Sequence, residues 1–193
     1  MEVVDLVIPG VKLITPRKFG DDRGFVSETY SRRKFAEVGI TLDFVQNNHS
    51  YSARAGTVRG LHFQAPPHAQ DKLVRVLRGS IVDVAVDIRR GSPTYGQHVH
   101  VLLSAENWRQ LLVPVGFAHG FATLEPDVEV LYKVTDFYAP EAEGGILWSD
   151  STLGIDWQIE PANVTVADRD AAFATFDNFE SPFTYHGDEG GQA

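Results

Sequence analysis

Short apolar segments recur along the whole chain, separated by glycine, proline, asparagine and aspartate. Runs of about four to eight residues rich in Val, Ile, Leu and Phe are typical of β-strands, and long amphipathic helices do not alternate with them. The pattern therefore predicts an all-β fold, a sandwich or barrel with a few short helices. The predicted strands are Val11 to Ile14, Phe25 to Tyr30, Phe44 to Ser52, Thr57 to Gln64, Lys72 to Gly79, Ser80 to Asp87, His98 to Leu103, Arg109 to Val113, Ala118 to Thr123 and Val128 to Tyr138.

The length of the chain favours one domain. With 193 residues, 43% of them hydrophobic and 22% charged, it can bury a substantial core without dividing into two units. Residues 1–183 are predicted to form this domain, and residues 184–193, which end in "HGDEGGQA", an acidic and flexible tail. Helices are expected only after Ser31, which is a favourable N-cap, and near Asp168.

The charge balance limits the range of partners. A formal net charge of −9 disfavours broad binding to nucleic acid or to an anionic membrane surface, although a local basic cluster could still hold one small phosphorylated ligand. The chain has no cysteine, which excludes disulfides and a cysteine nucleophile and fits the cytoplasm. The N-terminal segment lacks the pattern of a signal peptide, and no apolar stretch is long enough to span a bilayer.

The segment "GTVRGLHFQAPPHAQDKLVRV", residues 56–76, places a histidine and two cations among apolar strand positions. Such a strand either exposes that face to water or lines a pocket. Residues two apart share a face, so regular alternation separates His62 from Arg59. If both serve one pocket, Gly60 must host a bulge, or Arg59 must reach the site of a neighbouring subunit. The simpler alternative is a hydrogen-bonded core histidine beside a surface cation.

Two further inward positions could add chemistry to such a pocket. In "VEVLYKVTDFY", Tyr132 alternates with valines and should point toward the interior, where its hydroxyl could donate a proton. Lys72 also shares a face with valines, and a buried ammonium is costly unless it has a partner. Asp83 and Asp87 on the following strand are candidate partners.

The spacing of the histidines resembles the cupin superfamily, whose two histidine motifs lie on a jelly-roll barrel. Metal-binding cupins carry His-x-His in the first motif, and the second position of that motif is here Gln64. The second motif would be "PVGFAHG", with His119. Two histidines alone are a poor ligand set for a divalent transition metal, so no metal and no cofactor are predicted.

Taken in order, six segments closely resemble the dTDP-4-dehydrorhamnose 3,5-epimerase family. They are "FGDDRGFVSETY", "QNNHSYSARAGTVRGLHFQ", "DKLVRVLRGSIVDVAVDIRRGSPTYG", "PVGFAHGF", "EVLYKVTDFY" and "WSD". The resemblance implies a cupin-like jelly roll, without metal, that forms a homodimer. It further implies inversion of C3 and C5 of dTDP-4-dehydro-6-deoxy-D-glucose, on either side of the C4 ketone.

The resemblance also implies roles for residues. His62 matches the base, Asp170 the carboxylate that orients it, Lys72 the cation that holds the enolate oxygen, and Tyr132 the acid on the opposite side. The family's S-x-K-D pattern reads Ala167-Asp168-Arg169-Asp170 here, so Asp168 remains an alternative to Asp170. Matches to substrate contacts, including Tyr138 as the aromatic that stacks on thymine, are Arg23, Glu28, Gln46, Asn47, Asn48, Arg59, His119, Tyr138, Glu143 and Arg169.

Two other functions stay open from the sequence. Relatives on this scaffold could invert C3 or C5 alone, and the retained Tyr132 favours the double inversion. A cupin that binds a sugar nucleotide without turning it over would need no proton transfer by His62.

Overall fold

Antiparallel strands dominate the computed structural model, which describes residues 1–187. The strands are β1 (Glu2–Asp5), β2 (Lys12–Thr15), β3 (Lys18–Asp21), β4 (Gly24–Ser27), β5 (Gln46–Ser52), β6 (Val58–Gln64), β7 (Lys72–Arg78), β8 (Ser80–Asp87), β9 (His98–Ser104), β10 (Gln110–Val113), β11 (Phe117–Thr123), β12 (Val128–Val134) and β13 (Glu143–Gly145). The helices are α1 (Arg32–Ala36) and α2 (Asp168–Ala171). The predicted all-β jelly roll with a few short helices is confirmed. Strands β1, β3 and β13 were not predicted, because none of them contains a buried apolar run.

Two sheets form the body of the protein. One has six strands in the order β1-β2-β10-β7-β12-β5, and the other has five in the order β13-β6-β11-β8-β9. Apolar side chains from both sheets meet in one interior cluster, which includes Val74 and Val130 from the first sheet and Ile81 and Ala85 from the second. Strands β3 and β4 form a separate hairpin.

The five-stranded sheet is apolar on both faces because its outer face is also covered. Val82, Val84 and Val86 of β8 pack against the C-terminal segment, with Trp157 and Phe183 in the same cluster. The residues between these valines therefore point toward the interior of the roll. This alternation directs Asp83 inward.

The chain keeps its contacts slightly beyond the predicted domain end. Thr184 forms a bridge with Arg90, and the Tyr185 N–H donates to the Arg90 carbonyl at 2.9 Å. The first two residues of the predicted acidic tail, Thr184 and Tyr185, are therefore bonded to the domain. The rest of the prediction cannot be compared beyond residue 187, because residues 188–193 lie outside the described residues. Within residues 1–187, no helix is long and apolar enough to cross a membrane.

Candidate active site

A cavity of about 340 Å³ lies between the two sheets and is lined by side chains from both of them. It brings together eight of the fourteen residues predicted for the site, and strands β6, β7, β11 and β12 supply most of them. The lining residues are Ser50, Arg59, His62, Lys72, His119, Phe121, Tyr132, Glu143, Ala167, Arg169 and Asp170.

A histidine and a carboxylate form a close pair on one wall. Nε2 of His62 lies 2.8 Å from Oδ1 of Asp170, and Oδ2 of Asp170 accepts the Gly60 N–H at 3.1 Å. Burial by itself would raise the pKa of the Asp170 carboxyl, but its bonds to His62 and Gly60 and the charge of Arg169 lower it. The ionised carboxylate accepts the Nε2 proton, which leaves Nδ1 of His62 free to take a proton. Asp168, the alternative, is exposed.

Lys72 lies on the facing sheet with its ammonium buried. Its Nζ donates to the His62 carbonyl oxygen at 3.3 Å. Burial lowers the pKa of Lys72 to about 8, although the carboxylates of Asp83 and Glu143 act in the opposite direction. A cation of this kind is desolvated and positioned before a ligand arrives, so it can stabilise negative charge that develops in the cavity.

Tyr132 occupies the same wall as Lys72, on the neighbouring strand β12. It is directly opposite Val74 in the pairing of β12 with β7, and it packs against the interior cluster. Burial raises the pKa of its phenol, while the positive charge of Arg59 partly opposes the shift. The hydroxyl is therefore protonated at neutral pH and can donate a proton from the side opposite His62.

Arg59 reaches the same cavity as His62 because β6 contains a bulge. In the pairing with β11, His62 is opposite His119 and Arg59 is opposite Phe121, so β6 has one extra residue between the two pairs. This irregularity reverses the alternation and brings both side chains to the cavity of one chain. Of the two alternatives for Arg59, the structure shows the bulge at Gly60, so a reach to a neighbouring subunit is not needed to bring Arg59 to the cavity.

Gly60 is expected to tolerate no side chain. Its φ is +119°, and an added Cβ would lie 2.6 Å from the Gly120 Cα and 2.7 Å from the His119 carbonyl oxygen. Strain and backbone overlap together should lower the free energy of unfolding of Gly60→Ala by about 3 kcal/mol. Urea denaturation measures this, with Gly20→Ala in the exposed hairpin as the matched control. Equal unfolding midpoints for the two variants would show that position 60 accepts a side chain, contrary to this prediction.

A second group of side chains surrounds the outer part of the cavity. The Tyr138 hydroxyl donates to Oε2 of Glu143 at 2.9 Å, and Nη1 of Arg169 donates to the same oxygen at 2.7 Å. The hydroxyl of Tyr138 is thus fixed while 54% of the residue surface stays exposed. Such a ring can stack on a flat ligand group.

Strand β5 contributes alternate residues to this region. Gln46 and Asn48 line a small adjoining pocket with Tyr138, and the Gln46 side chain accepts the Tyr138 N–H at 3.1 Å. Asn47 was predicted as a ligand contact, but strand alternation turns it to the exposed opposite face. That prediction is not met within this chain.

Arg23 and Glu28 also lie away from the cavity. Arg23 is in the turn of the β3–β4 hairpin and pairs with Asp21, and Glu28 pairs with Lys34 at 2.8 Å. The hairpin carries both residues outside the roll, so neither contacts the cavity of its own chain.

His119 lies in the cavity wall beside a buried carboxylate. Its Nε2 is 2.5 Å from Oδ1 of Asp83. Among residues 1–187, no group of three or more His, Cys, Asp or Glu side chains is placed to share one metal ion. The sequence argument against a metal stays a prediction.

Sequence reasoning missed three residues of the lining. Ser50 and Phe121 could have been found by alternation, because Ser50 follows Asn48 by two positions and Phe121 follows His119 by two. Ala167 precedes α2 and gives no signal in the sequence.

A jelly roll that places a carboxylate-backed histidine, a buried lysine and a tyrosine around one cavity defines the class of protein, a cupin-fold enzyme that transfers protons. Comparison with known families gives the same class. The sequence model of dTDP-4-dehydrorhamnose 3,5-epimerase matches residues 5–178. The chain belongs to the dTDP-4-dehydrorhamnose 3,5-epimerase family.

Three epimerases are similar to this chain over most of their length. A dTDP-4-dehydrorhamnose 3,5-epimerase from Pseudomonas aeruginosa is 54% identical over 93% of this chain and 99% of its own. A dTDP-6-deoxy-D-glucose-3,5-epimerase from Legionella pneumophila, solved with dTDP-4-keto-L-rhamnose, is 44% identical with a TM-score of 0.88 and covers 93% of this chain and 94% of its own. A 3'-monoepimerase from Streptomyces bikiniensis, solved with dTDP-quinovose, is 31% identical with a TM-score of 0.81 and covers 89% of this chain and 86% of its own.

Proposed function

We propose that this protein inverts C3 and C5 of dTDP-4-dehydro-6-deoxy-D-glucose to give dTDP-4-dehydro-L-rhamnose. One observation carries the proposal: His62, paired with Asp170 of α2, lies on one sheet, and Tyr132 with Lys72 lies on the other, around a single cavity. Inversion at carbon needs a base and an acid on opposite faces of the substrate. The shared family and the high identity to epimerases of that name support the same conclusion.

The chemistry proceeds through an enolate at each carbon. Nδ1 of His62 takes the proton from carbon, and the electron pair of the C–H bond moves to form the enolate, with negative charge on the C4 oxygen. The Lys72 ammonium stabilises that charge in a desolvated cavity. The Tyr132 hydroxyl then gives its proton to the opposite face of the carbon, and the ketone is restored. Exchange with water returns both residues to their starting states.

The nucleotide end of the substrate is assigned to the basic and aromatic side chains around the cavity. Arg59 and Arg169 face the same space and can donate to diphosphate oxygens, for which the guanidinium fork is well suited, and His119 lines that space beside them. The exposed ring of Tyr138, held by Glu143, is placed to stack on thymine. The relative solved with a dTDP sugar supports this class of ligand.

A homodimer is proposed from the β3–β4 hairpin. Its Phe19, Phe25 and Val26 are 57%, 52% and 75% exposed, which is unusual for neighbouring apolar side chains. A second copy that covers this face would bring Arg23 and Glu28 to the partner's cavity, which agrees with their absence from their own. We place the protein in the cytoplasm, in keeping with the lack of cysteine.

Deuterium exchange decides between the double inversion and its alternatives. The enzyme is incubated with dTDP-4-dehydro-6-deoxy-D-glucose in D₂O, and the protons on C3 and C5 are followed by NMR. We expect deuterium at both carbons and a product with both centres inverted. Exchange at one carbon alone would establish a mono-epimerase, and binding without exchange would establish a non-catalytic sugar-nucleotide cupin.

A further inference from the structure

Asp83 is a fully buried carboxyl group that does not line the cavity. It lies on β8 between Val82 and Val84, and it points inward with Ile81 and Ala85 into the apolar interior. A carboxylate in such surroundings is costly unless charged or hydrogen-bonding partners compensate for its lost hydration. The proposed chemistry gives it no task, so its partners indicate what it does.

The first partner of Asp83 is His119 on the adjacent strand. Asp83 is directly opposite Phe121 in the pairing of β8 with β11, which makes His119 its diagonal neighbour on the same face. The 2.5 Å contact engages Nε2 of His119, so Nδ1 is the ring nitrogen left available to a ligand. A carboxylate behind an imidazole commonly fixes the tautomer and the ring orientation in this way.

Asp83 also acts at longer range, through its charge, on Lys72 of the facing sheet, with which it forms no ion pair within residues 1–187. Oδ2 of Asp83 is buried and has no hydrogen-bond partner among the described residues. The negative charge of Asp83 is nevertheless the strongest influence that keeps the pKa of Lys72 from falling further, ahead of Glu143. The Asp83 carboxylate therefore acts on two basic side chains of the cavity wall: it contacts His119 directly, and its charge favours the protonated form of Lys72.

We infer that Asp83 is a positioning residue, whose buried carboxylate keeps Lys72 in the ammonium form and orients His119 toward a ligand. Its role in turnover rests on the proposed function, whereas its effect on Lys72 does not. Other groups around the cavity are the cations Arg59 and Arg169, the carboxylates Glu143 and Asp170, and the side chains of His62 and Tyr132. Of these, only Glu143 adds to the effect of Asp83 on Lys72.

The sign of the effect follows from charge. Removing the negative charge in Asp83→Asn withdraws stabilisation from the ammonium, so the pKa of Lys72 falls below its present value of about 8. We expect a fall of no more than about one pH unit, because an opposite charge shifts a pKa by more than that only at close range, and no ion pair joins Asp83 to Lys72 among the described residues. The alkaline limb of kcat/KM should move to lower pH by the same amount.

Lysine NMR tests the inference without requiring turnover. The protein is labelled with ¹³C-lysine, the Lys72 Cε signal is assigned by its loss in Lys72→Met, and the signal is titrated in wild type, Asp83→Asn and Asp87→Asn. Asp87 is the matched control, because it is also fully buried on β8 but its charge does not act on Lys72. We expect a lower midpoint in Asp83→Asn alone; equal midpoints in all three proteins would overturn the inference.

A measurement on the wild type covers the case in which Asp83→Asn does not fold. With ¹³Cγ-labelled aspartate, the Asp83 carboxyl signal should shift at the pH where Lys72 loses its proton. A signal that does not respond to Lys72 would overturn the inference. If Lys72 titrates as expected but the wild type exchanges no substrate proton, the proposed function fails and the electrostatic role of Asp83 stands.

Discussion

Replacing His62 with alanine is expected to abolish proton exchange at C3 and C5 while dTDP binding persists. In the proposed chemistry this residue supplies the nitrogen that takes the substrate proton, and Asp170 holds its other nitrogen at 2.8 Å. General bases contribute about 10²–10⁴-fold to such reactions. We expect kcat to fall by about 10³-fold. Deuterium incorporation by NMR and dTDP affinity by calorimetry measure the two effects.

The two aspartates of α2 provide a matched pair for this experiment. Asp170→Asn should also lose most of the activity, because the amide no longer favours the tautomer that leaves Nδ1 free. Asp168→Asn should behave as the wild type, since Asp168 is exposed and does not line the cavity. Proton exchange in His62→Ala within tenfold of the wild type would exclude His62 as the base.

Replacing Lys72 with methionine is expected to lower kcat by about 10²–10³-fold and to leave the fold at least as stable. The loss in rate is expected because the proposed chemistry uses Lys72 as a preorganised donor to the enolate oxygen. Stability should not fall, because methionine has a similar shape and the lowered pKa of Lys72 indicates that desolvation of the ammonium outweighs the attraction of Asp83 and Glu143. Steady-state kinetics and thermal unfolding of the same preparations test both parts.

The pH dependence of unfolding gives this prediction a separate check. The pKa of Lys72 is about 8 in the folded protein and 10.5 in the reference state, so the unfolded chain binds more protons between these values. The cost of burying Lys72 is thus fully present below pH 8 and declines as the pH rises toward 10.5. In Lys72→Met this rise in stability with pH should be absent.

Lys133→Met serves as the control for Lys72→Met. Lys133 lies on β12 over the ring of Tyr30 and does not line the cavity. Its replacement should leave turnover unchanged. If Lys72→Met and Lys133→Met have equal kcat, the stabilisation of the enolate must come from another group.

Alternation along single strands accounts for much of what the sequence could predict. It directed His62, Lys72 and Tyr132 toward the interior, and the structure places all three in one cavity. It could not choose between the two explanations for Arg59, because a bulge depends on how β6 pairs with β11. That pairing joins residues 57 to 64 positions apart, and its register is fixed only when both strands have formed.

Local sequence patterns could not predict the contacts between segments that are distant in the chain. Asp170 is 108 positions from His62, and only the family resemblance indicated their pairing. Asp83 and Asp87 were equivalent candidates beside Lys72, since both alternate with valines. In the structure Asp87 is bound by Arg89, Ser92 and Thr94, which leaves Asp83 to act on the cavity. The exposed positions of Arg23 and Asn47 likewise depend on where their strands lie in the assembled roll.

The bulge in β6 also bears on how this strand can change over evolution. In most strands, losing one residue disrupts pairing at the point of deletion. Here the loss of one residue near Gly60 would restore regular pairing with β11, so the sheet itself could accommodate the deletion. The same event would turn Arg59 to the other face, separating its guanidinium from His62. A shortened β6 would therefore mark a relative that keeps the roll and has altered its ligand.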